Sequence, residues 1–118
     1  MAAKGIFYVY ASVSDLARSK KFYGDTLGWK LGTDEKEAAG FSFGSGYLVL
    51  GVDRRGAGRT HGGGMHVEVQ VDDVEAEHTR LRKLGVEVSE LYDQPWGERN
   101  FSFPDPDGYT WWYGQPKR

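Results

Sequence analysis

The chain has 118 residues, with 15 basic and 17 acidic side chains and a formal net charge of -2. That length fits one domain, or two small halves sharing one core, and mixed charge gives no electrostatic reason to expect nucleic acid. The absence of cysteine excludes thiol catalysis, thiolate-bound zinc, iron–sulfur clusters and a disulfide framework.

The first alternating stretch, Phe7 to Val13, reads as a strand. Asp15 is placed to cap a following helix whose apolar stripe is Leu16, Phe22, Tyr23 and Leu27. Leu27-Gly28 ends it, because glycine accepts the left-handed cap conformation. Three short strands are expected next, at Trp29 to Gly32, Gly40 to Phe43 and Tyr47 to Val52. The run from Arg54 to Gly64 is rich in glycine and arginine. It lacks the spacing of a phosphate-binding loop and reads as a linker.

The same order then repeats. Val71-Asp72-Asp73-Val74 matches Val13-Ser14-Asp15-Leu16 at a shift of 58 residues. A strand from His66 to Val71 precedes it. A helix carrying Val74, Leu81 and Leu84 follows, with Asp73 as its cap and Asp72 and Glu75 at capping-box spacing. The helix ends at Leu84-Gly85. Three more strands are expected at Val86 to Tyr92, Arg99 to Phe103 and Tyr109 to Tyr113, the last two separated by the turn Pro104-Asp105-Pro106-Asp107-Gly108. Two halves with one element order predict a duplicated α+β module, each copy strand–helix–three strands. The halves span about 5–53 and 65–114.

The repeat and its motifs resemble the vicinal oxygen chelate superfamily, the glyoxalase, bleomycin-resistance and extradiol-dioxygenase group. The matching residues are Val13-Ser14-Asp15-Leu16, Phe22-Tyr23 and Leu27-Gly28-Trp29 in the first half. In the second they are His66, Val71-Asp72-Asp73-Val74, Leu84-Gly85-Val86, Gln94-Pro95-Trp96-Gly97 and Asp105-Pro106-Asp107-Gly108. The resemblance implies one domain over 1–118, two tandem βαβββ modules forming curved mixed sheets around a cavity. It also implies a homodimer with shared sites. Metal-dependent members carry four His, Glu or Gln ligands, one on each of four cavity strands. The resemblance puts those positions at Tyr8, at His66, on the Tyr47–Val52 strand and at Trp112, so only His66 is of ligand type. One imidazole does not hold a divalent transition metal, which takes three or four protein ligands, and Glu68 adds one more at most. No metal and no other cofactor is expected.

Alternation then assigns faces. Phe7, Val9, Ala11 and Val13 form the apolar side of the first strand, leaving Tyr8, Tyr10 and Ser12 on the cavity side. On the last strand Thr110 and Trp112 face the cavity, while Tyr109, Trp111 and Tyr113 face away. His66 shares a face with Glu68 and Gln70, and reads either as a hydrogen-bonded core residue or as a polar contact in the cavity. Trp96 reads either as a lid on the core or as a ligand-facing ring. The candidate ligand-binding set is therefore Tyr8, Tyr10, His66, Glu68, Trp96, Thr110 and Trp112, with no catalytic residue and no metal ligand.

Two functions compete for such a site. One is a metal-free protein that sequesters a planar aromatic, DNA-damaging antibiotic and so confers resistance, in keeping with the bleomycin-resistance-type resemblance. The other is a glyoxalase- or dioxygenase-like enzyme acting on a small or aromatic polyketide substrate, with His66 or Glu68 as base. The expected partners are a small planar ligand and a second copy of the chain, with no nucleic acid and no membrane. Met1 to Gly5 carry no apolar signal segment, and no apolar run approaches the ~20 residues of a membrane span. A cytoplasmic location is expected.

Overall fold

The computed structural model describes residues 6–52 and 67–117. The linker from Arg54 to Gly64, with His61, lies outside the described residues, and so does His66. The chain divides into two compact units, 1–59 and 60–118, each built on a four-stranded mixed sheet.

In the first unit β1 (Val9–Val13) leads into α1 (Leu16–Lys20). The Asp15 side chain accepts from the Arg18 N–H at 3.1 Å, the expected cap. The helix does not continue as one α-helix to Leu27. From Lys21 to Thr26 it widens to a π-helical turn, with the Leu27 N–H bonded to the Phe22 carbonyl. Gly28 then takes a φ of 78° and turns the chain out. β2 (Lys30–Asp34), β3 (Ala38–Phe43) and β4 (Gly46–Val52) complete the sheet in the order β1-β4-β3-β2. β1 runs parallel to β4 and the other neighbours are antiparallel.

One face of this sheet makes the core. Ala11, Val13, Ala39, Phe41, Leu48 and Leu50 are buried there with Tyr23 and Leu27, and α1 packs over β3 and β4. Trp29 stacks on Phe43, with ring centroids 4.3 Å apart. Phe7 breaks the expected pattern: it precedes β1 and is 90% exposed rather than packed on the core face. The ladder with β4 begins at Val9, which pairs with Leu48, so residues 6–8 precede it.

The second unit repeats the plan with β5 (Val67–Gln70), α2 (Val74–Lys83), β6 (Tyr92–Gln94), β7 (Glu98–Pro104) and β8 (Thr110–Pro116), in the order β5-β8-β7-β6. Asp73 caps α2 by accepting from the Ala76 N–H at 3.0 Å. The capping box at Glu75 does not form; its carboxylate bonds Arg99 instead. A second acceptor comes from Gln115, whose Oε1 takes the Val74 N–H at 2.9 Å. Val74, Leu81, Phe101, Phe103, Trp111 and Tyr113 form the core. Leu84, expected in the α2 stripe, is exposed because it lies past the last helical turn.

The expected strand from Val86 to Tyr92 is absent up to residue 91, and only Tyr92 belongs to β6. Gly85, with φ 87°, turns the chain so that the Val86 N–H returns to the Leu81 carbonyl. Beyond it, Ser89 makes an isolated contact with β7, its N–H donating to the Ser102 carbonyl at 2.8 Å. Its Oγ accepts the Ser102 N–H and its carbonyl bonds His78 Nε2. Asp105, only 4% exposed, shapes the last turn by accepting from the Asp107 and Tyr109 N–H groups at 2.9 Å each.

Candidate functional site

The face of each sheet turned away from its core is the open face. In the first unit it carries Tyr10, Tyr47, Val49 and Gly51. The phenol of Tyr10 lies over Gly51, where any Cβ would clash with it. Tyr47 covers Gly40 and Gly32 in the same way, and its hydroxyl is fixed at Thr33: it accepts the Thr33 N–H and donates to Oγ1, each at 3.1 Å. Those bonds lower the Tyr47 pKa, the side-chain bond most, with the backbone bond next. Tyr8 stands just before β1, and both Tyr8 and Tyr10 are about half exposed.

The second unit's open face is more heavily polar. The register pairs Glu68 with Trp112 and Trp112 with Ser102. It also pairs Gly114 with Gln70 and Asn100, Asn100 with Tyr92, and Glu98 with Gln94. Directly paired residues share a face, so all of these side chains project together, opposite buried Trp111 and Tyr113. Trp112 is partly exposed, with the Tyr92 ring centroid 6.2 Å from its own. Thr110 opens β8 two residues earlier and is exposed.

A hydrogen-bonded chain crosses this face. Gln94 Nε2 donates to Asn100 Oδ1 at 3.0 Å, and Asn100 Nδ2 donates to Glu68 Oε1 at 3.2 Å and, more distantly, to Glu98 Oε1 at 3.5 Å. Trp96, on the turn between β6 and β7, donates Nε1–H to Glu98 Oε1 at 2.7 Å while its ring stays 69% exposed. Asn100 is only 3% exposed. It is a buried amide whose oxygen and nitrogen are both bonded to its neighbours, as buried polar groups require.

Of the residues expected at the site, Glu68, Trp96, Thr110 and Trp112 fall on or beside this one face, and Tyr8 and Tyr10 belong to the first unit. His66 lies outside the described residues. Sequence reasoning missed Gln94, Glu98, Asn100 and Tyr92 as partners of Glu68 and Trp112. Their signal was the alternation Glu98, Asn100, Ser102, which a strand begun one residue earlier would have displayed. A cleft of about 470 Å³ opens beside the π-helical turn, lined by Lys20, Lys21, Gly24, Asp25, Trp29, Leu31 and Phe41. None of the candidate residues reaches it.

With this geometry in view, the chain belongs to the glyoxalase/bleomycin resistance protein/dioxygenase superfamily, whose model matches residues 5–113. Among solved structures it is similar to TnmS3, an antibiotic binding protein from Streptomyces sp. CB03234. The two share 28% identity over 99% of both chains, with a TM-score of 0.79. A glyoxalase family protein from Bacillus anthracis is similar at TM-score 0.85, with 20% identity, covering 99% of this chain and 98% of that one. Lactoylglutathione lyase from Agrobacterium tumefaciens is similar at TM-score 0.77, with 21% identity, covering 97% and 95%. These last two likenesses speak to the fold alone. No curated protein matches the sequence significantly.

Among the described residues, the side chains at the positions of the superfamily's metal ligands do not fit a divalent metal. Trp112 offers an indole N–H, which donates and has no lone pair for a cation. The Tyr47–Val52 strand has no His, Glu or Gln, and Tyr8 has a single phenol. Among the described residues no group of three or more His, Cys, Asp or Glu side chains is placed to hold a metal ion. No helix among them is long and apolar enough to cross a membrane.

Proposed function

We propose that the chain is a metal-free binding protein that sequesters a planar aromatic antibiotic of the DNA-damaging kind, and that it confers resistance by keeping the compound from its target. The observation that carries this reading is Trp112. It stands where a metal-dependent member carries a carboxylate ligand, and it presents an indole beside Tyr92 on an open, polar-lined sheet face. The similarity to an antibiotic binding protein supports it. Burying about 300 Å² of apolar surface contributes roughly 7 kcal/mol before the costs of association. Each well-placed ring pair adds about 0.5–1.5 kcal/mol. Affinity of this size protects without chemistry.

The protein acts in this reading as a cytoplasmic homodimer. Ile6 and Phe7, 86% and 90% exposed in the single chain, are apolar surface that a second copy would cover. The second reading is an enzyme using Glu68 or His66 as base, and the accessible Glu68 carboxylate on the ligand face favours it.

Tryptophan-fluorescence titration with a panel of planar DNA-damaging antibiotics, followed by mass analysis of the released compound, separates the two. Saturable quenching with the compound recovered intact is the expected result. An altered mass would make the protein an enzyme, and no binding across the panel would remove the aromatic site altogether. Trp112→Ala and Tyr8→Ala should each weaken binding roughly tenfold without unfolding the protein. Unchanged affinity in both would overturn the site assignment.

A further inference from the structure

We propose that the cleft beside the π-helical turn is a second binding site, which takes a small zwitterion with an apolar ring, as an aromatic amino acid presents. This goes beyond the binding reading above and does not depend on it. The cleft lies within the first unit, and no residue assigned to the open faces lines it.

One extra residue sets this cleft apart from the matching place in the second unit. Leu16 and Val74 correspond at a shift of 58, but Gly28 and Gly85 correspond at a shift of 57. The first helix therefore holds one residue more than the second between its cap and its closing glycine. That residue is accommodated in the π-helical turn Lys21–Thr26, a deformation frequent at functional sites. Gly24, on the turn, faces the Phe41 ring and has no side chain to fill the space. Phe41, its cross-strand partner Leu31 and Trp29 give the cleft of about 470 Å³ an apolar lining, and Leu31 is left exposed there.

In the second unit the helix is bonded directly to the chain opposite it. His78 stands at the 58-residue shift from Lys20. Its Nε2 bonds the Ser89 carbonyl at 2.8 Å, and its ring centroid lies 5.0 Å from that of Phe101. Lys20 instead reaches Asp34 on β2, at 2.6 Å, and the cleft stays open between turn and strand.

The charges along the cleft select the ligand. Lys20 is already paired with Asp34. Lys21 and Asp25 line the same cleft on the π-helical turn, and among the described residues neither forms an ion pair. One unpaired ammonium and one unpaired carboxylate beside an apolar lining match a ligand with one charge of each sign next to a ring. A simple anion would meet Lys21 but be opposed by Asp25, and a simple cation the reverse.

The test uses three probes that share one ring. L-phenylalanine is a zwitterion at neutral pH, N-acetyl-L-phenylalanine an anion and phenethylamine a cation. Each is titrated into the full nitrogen-15-labelled chain and followed by NMR, with the Trp29 indole N–H signal assigned from Trp29→Phe. L-phenylalanine should move that signal saturably, leave the Trp96 and Trp112 indole signals in place, and bind several-fold more tightly than either single-charge probe. Lys21→Gln should erase its advantage over phenethylamine, and Asp25→Asn its advantage over N-acetyl-L-phenylalanine. Thermal melts establish that the variants are folded. Equal binding of the three probes, or advantages that survive both substitutions, would overturn the assignment of a zwitterion. A Trp29 signal that no probe moves, or movement at Trp96 and Trp112 instead, would overturn the site itself and leave the open-face reading standing.

Discussion

The two units place the same backbone register under different chemistry. Gly51 lies between Ser12 and Ala38 in the first sheet, and Gly114 lies between Gln70 and Asn100 in the second. Each glycine makes a shallow cradle on its sheet's open face. In the first unit the phenol of the unit's own Tyr10 lies in it, and a methyl group, that of Ala38, stands at the flank. In the second unit Glu68 occupies the place of Tyr10, at the 58-residue shift, and a buried amide replaces the methyl. One cradle is closed with the chain's own ring, and the other is edged with carboxylates and supported by a hydrogen-bonded chain. A duplicated scaffold therefore separates two tasks. The core faces stay nearly interchangeable, while the open faces diverge into one covered by the chain's own phenol and one lined by polar side chains.

If the core faces are interchangeable, equivalent core residues must have equivalent worth. Phe41 pairs with Leu48, and Phe103 pairs with Trp111, at matching places in the two ladders, and both rings are 1% exposed. Phe41→Ala and Phe103→Ala should each cost about 3–5 kcal/mol, the largest effects expected here, measured by chemical denaturation of the whole chain. A difference of more than about 2 kcal/mol between them, wider than the ordinary spread for one kind of truncation, would show that the duplicated cores are not equivalent.

The open faces should separate under the complementary pair of substitutions, Gly51→Ala and Gly114→Ala. At Gly51 the new methyl meets the far end of the Tyr10 side chain, which is about half exposed and free to swing out. A change in stability within about 1 kcal/mol is expected, with a smaller loss of ligand affinity than at Gly114. At Gly114 the methyl meets both carboxylates at once and pushes them away from their bonds to Asn100. Affinity for a planar ligand should fall several-fold while the fold survives. Equal effects of the two substitutions on ligand binding would erase the distinction between the two cradles.

Much of this architecture was legible in the sequence because it rests on local rules. The Asp15 and Asp73 caps, the turns at Gly28, Gly85 and Gly108, and the apolar alternation of β3, β4 and β8 each follow from a few adjacent residues. Where non-local pairing decides, the reading failed. Phe7 alternates like a strand residue, yet the ladder with β4 begins only at the Val9–Leu48 pair. Val86 to Leu91 has strand composition, but the helix C-cap takes the Val86 N–H and His78 bonds the Ser89 carbonyl, leaving a single backbone bond from Ser89 to Ser102 in place of a ladder. The π-helical turn at Lys21–Thr26 keeps the apolar spacing of an α-helix and hides within it. On the second unit's open face, alternation within single strands placed Glu68 and Trp112. Gln94, Glu98, Asn100 and Gly114 join them only through cross-strand register, which no pattern within one strand reveals.

The smallest expected effect concerns how each sheet secures its outermost strand. β2 is tied inward by Lys20, whose Nζ lies 2.6 Å from Asp34. β6 is tied by Asp93, which accepts from Arg99 Nε at 2.7 Å and Nη2 at 3.1 Å and lies 3.3 Å from Lys117 Nζ. The Arg99 hydrogen bonds hold the Asp93 carboxyl below its ordinary value of 3.8, outweighing an opposing desolvation, and Lys117 adds a lesser lowering. Because the folded-state pKa is depressed, the tie stabilises the fold above the unfolded-state value and is lost as pH falls through the folded one. The pair is exposed, so screening keeps its contribution small. Asp93→Asn should therefore melt slightly below the unmodified protein at neutral pH, with the two curves converging well below pH 3.8. A gap that persists in acid would mean that Asp93 holds β6 by shape rather than charge, and the two edge strands would then be secured by different physics.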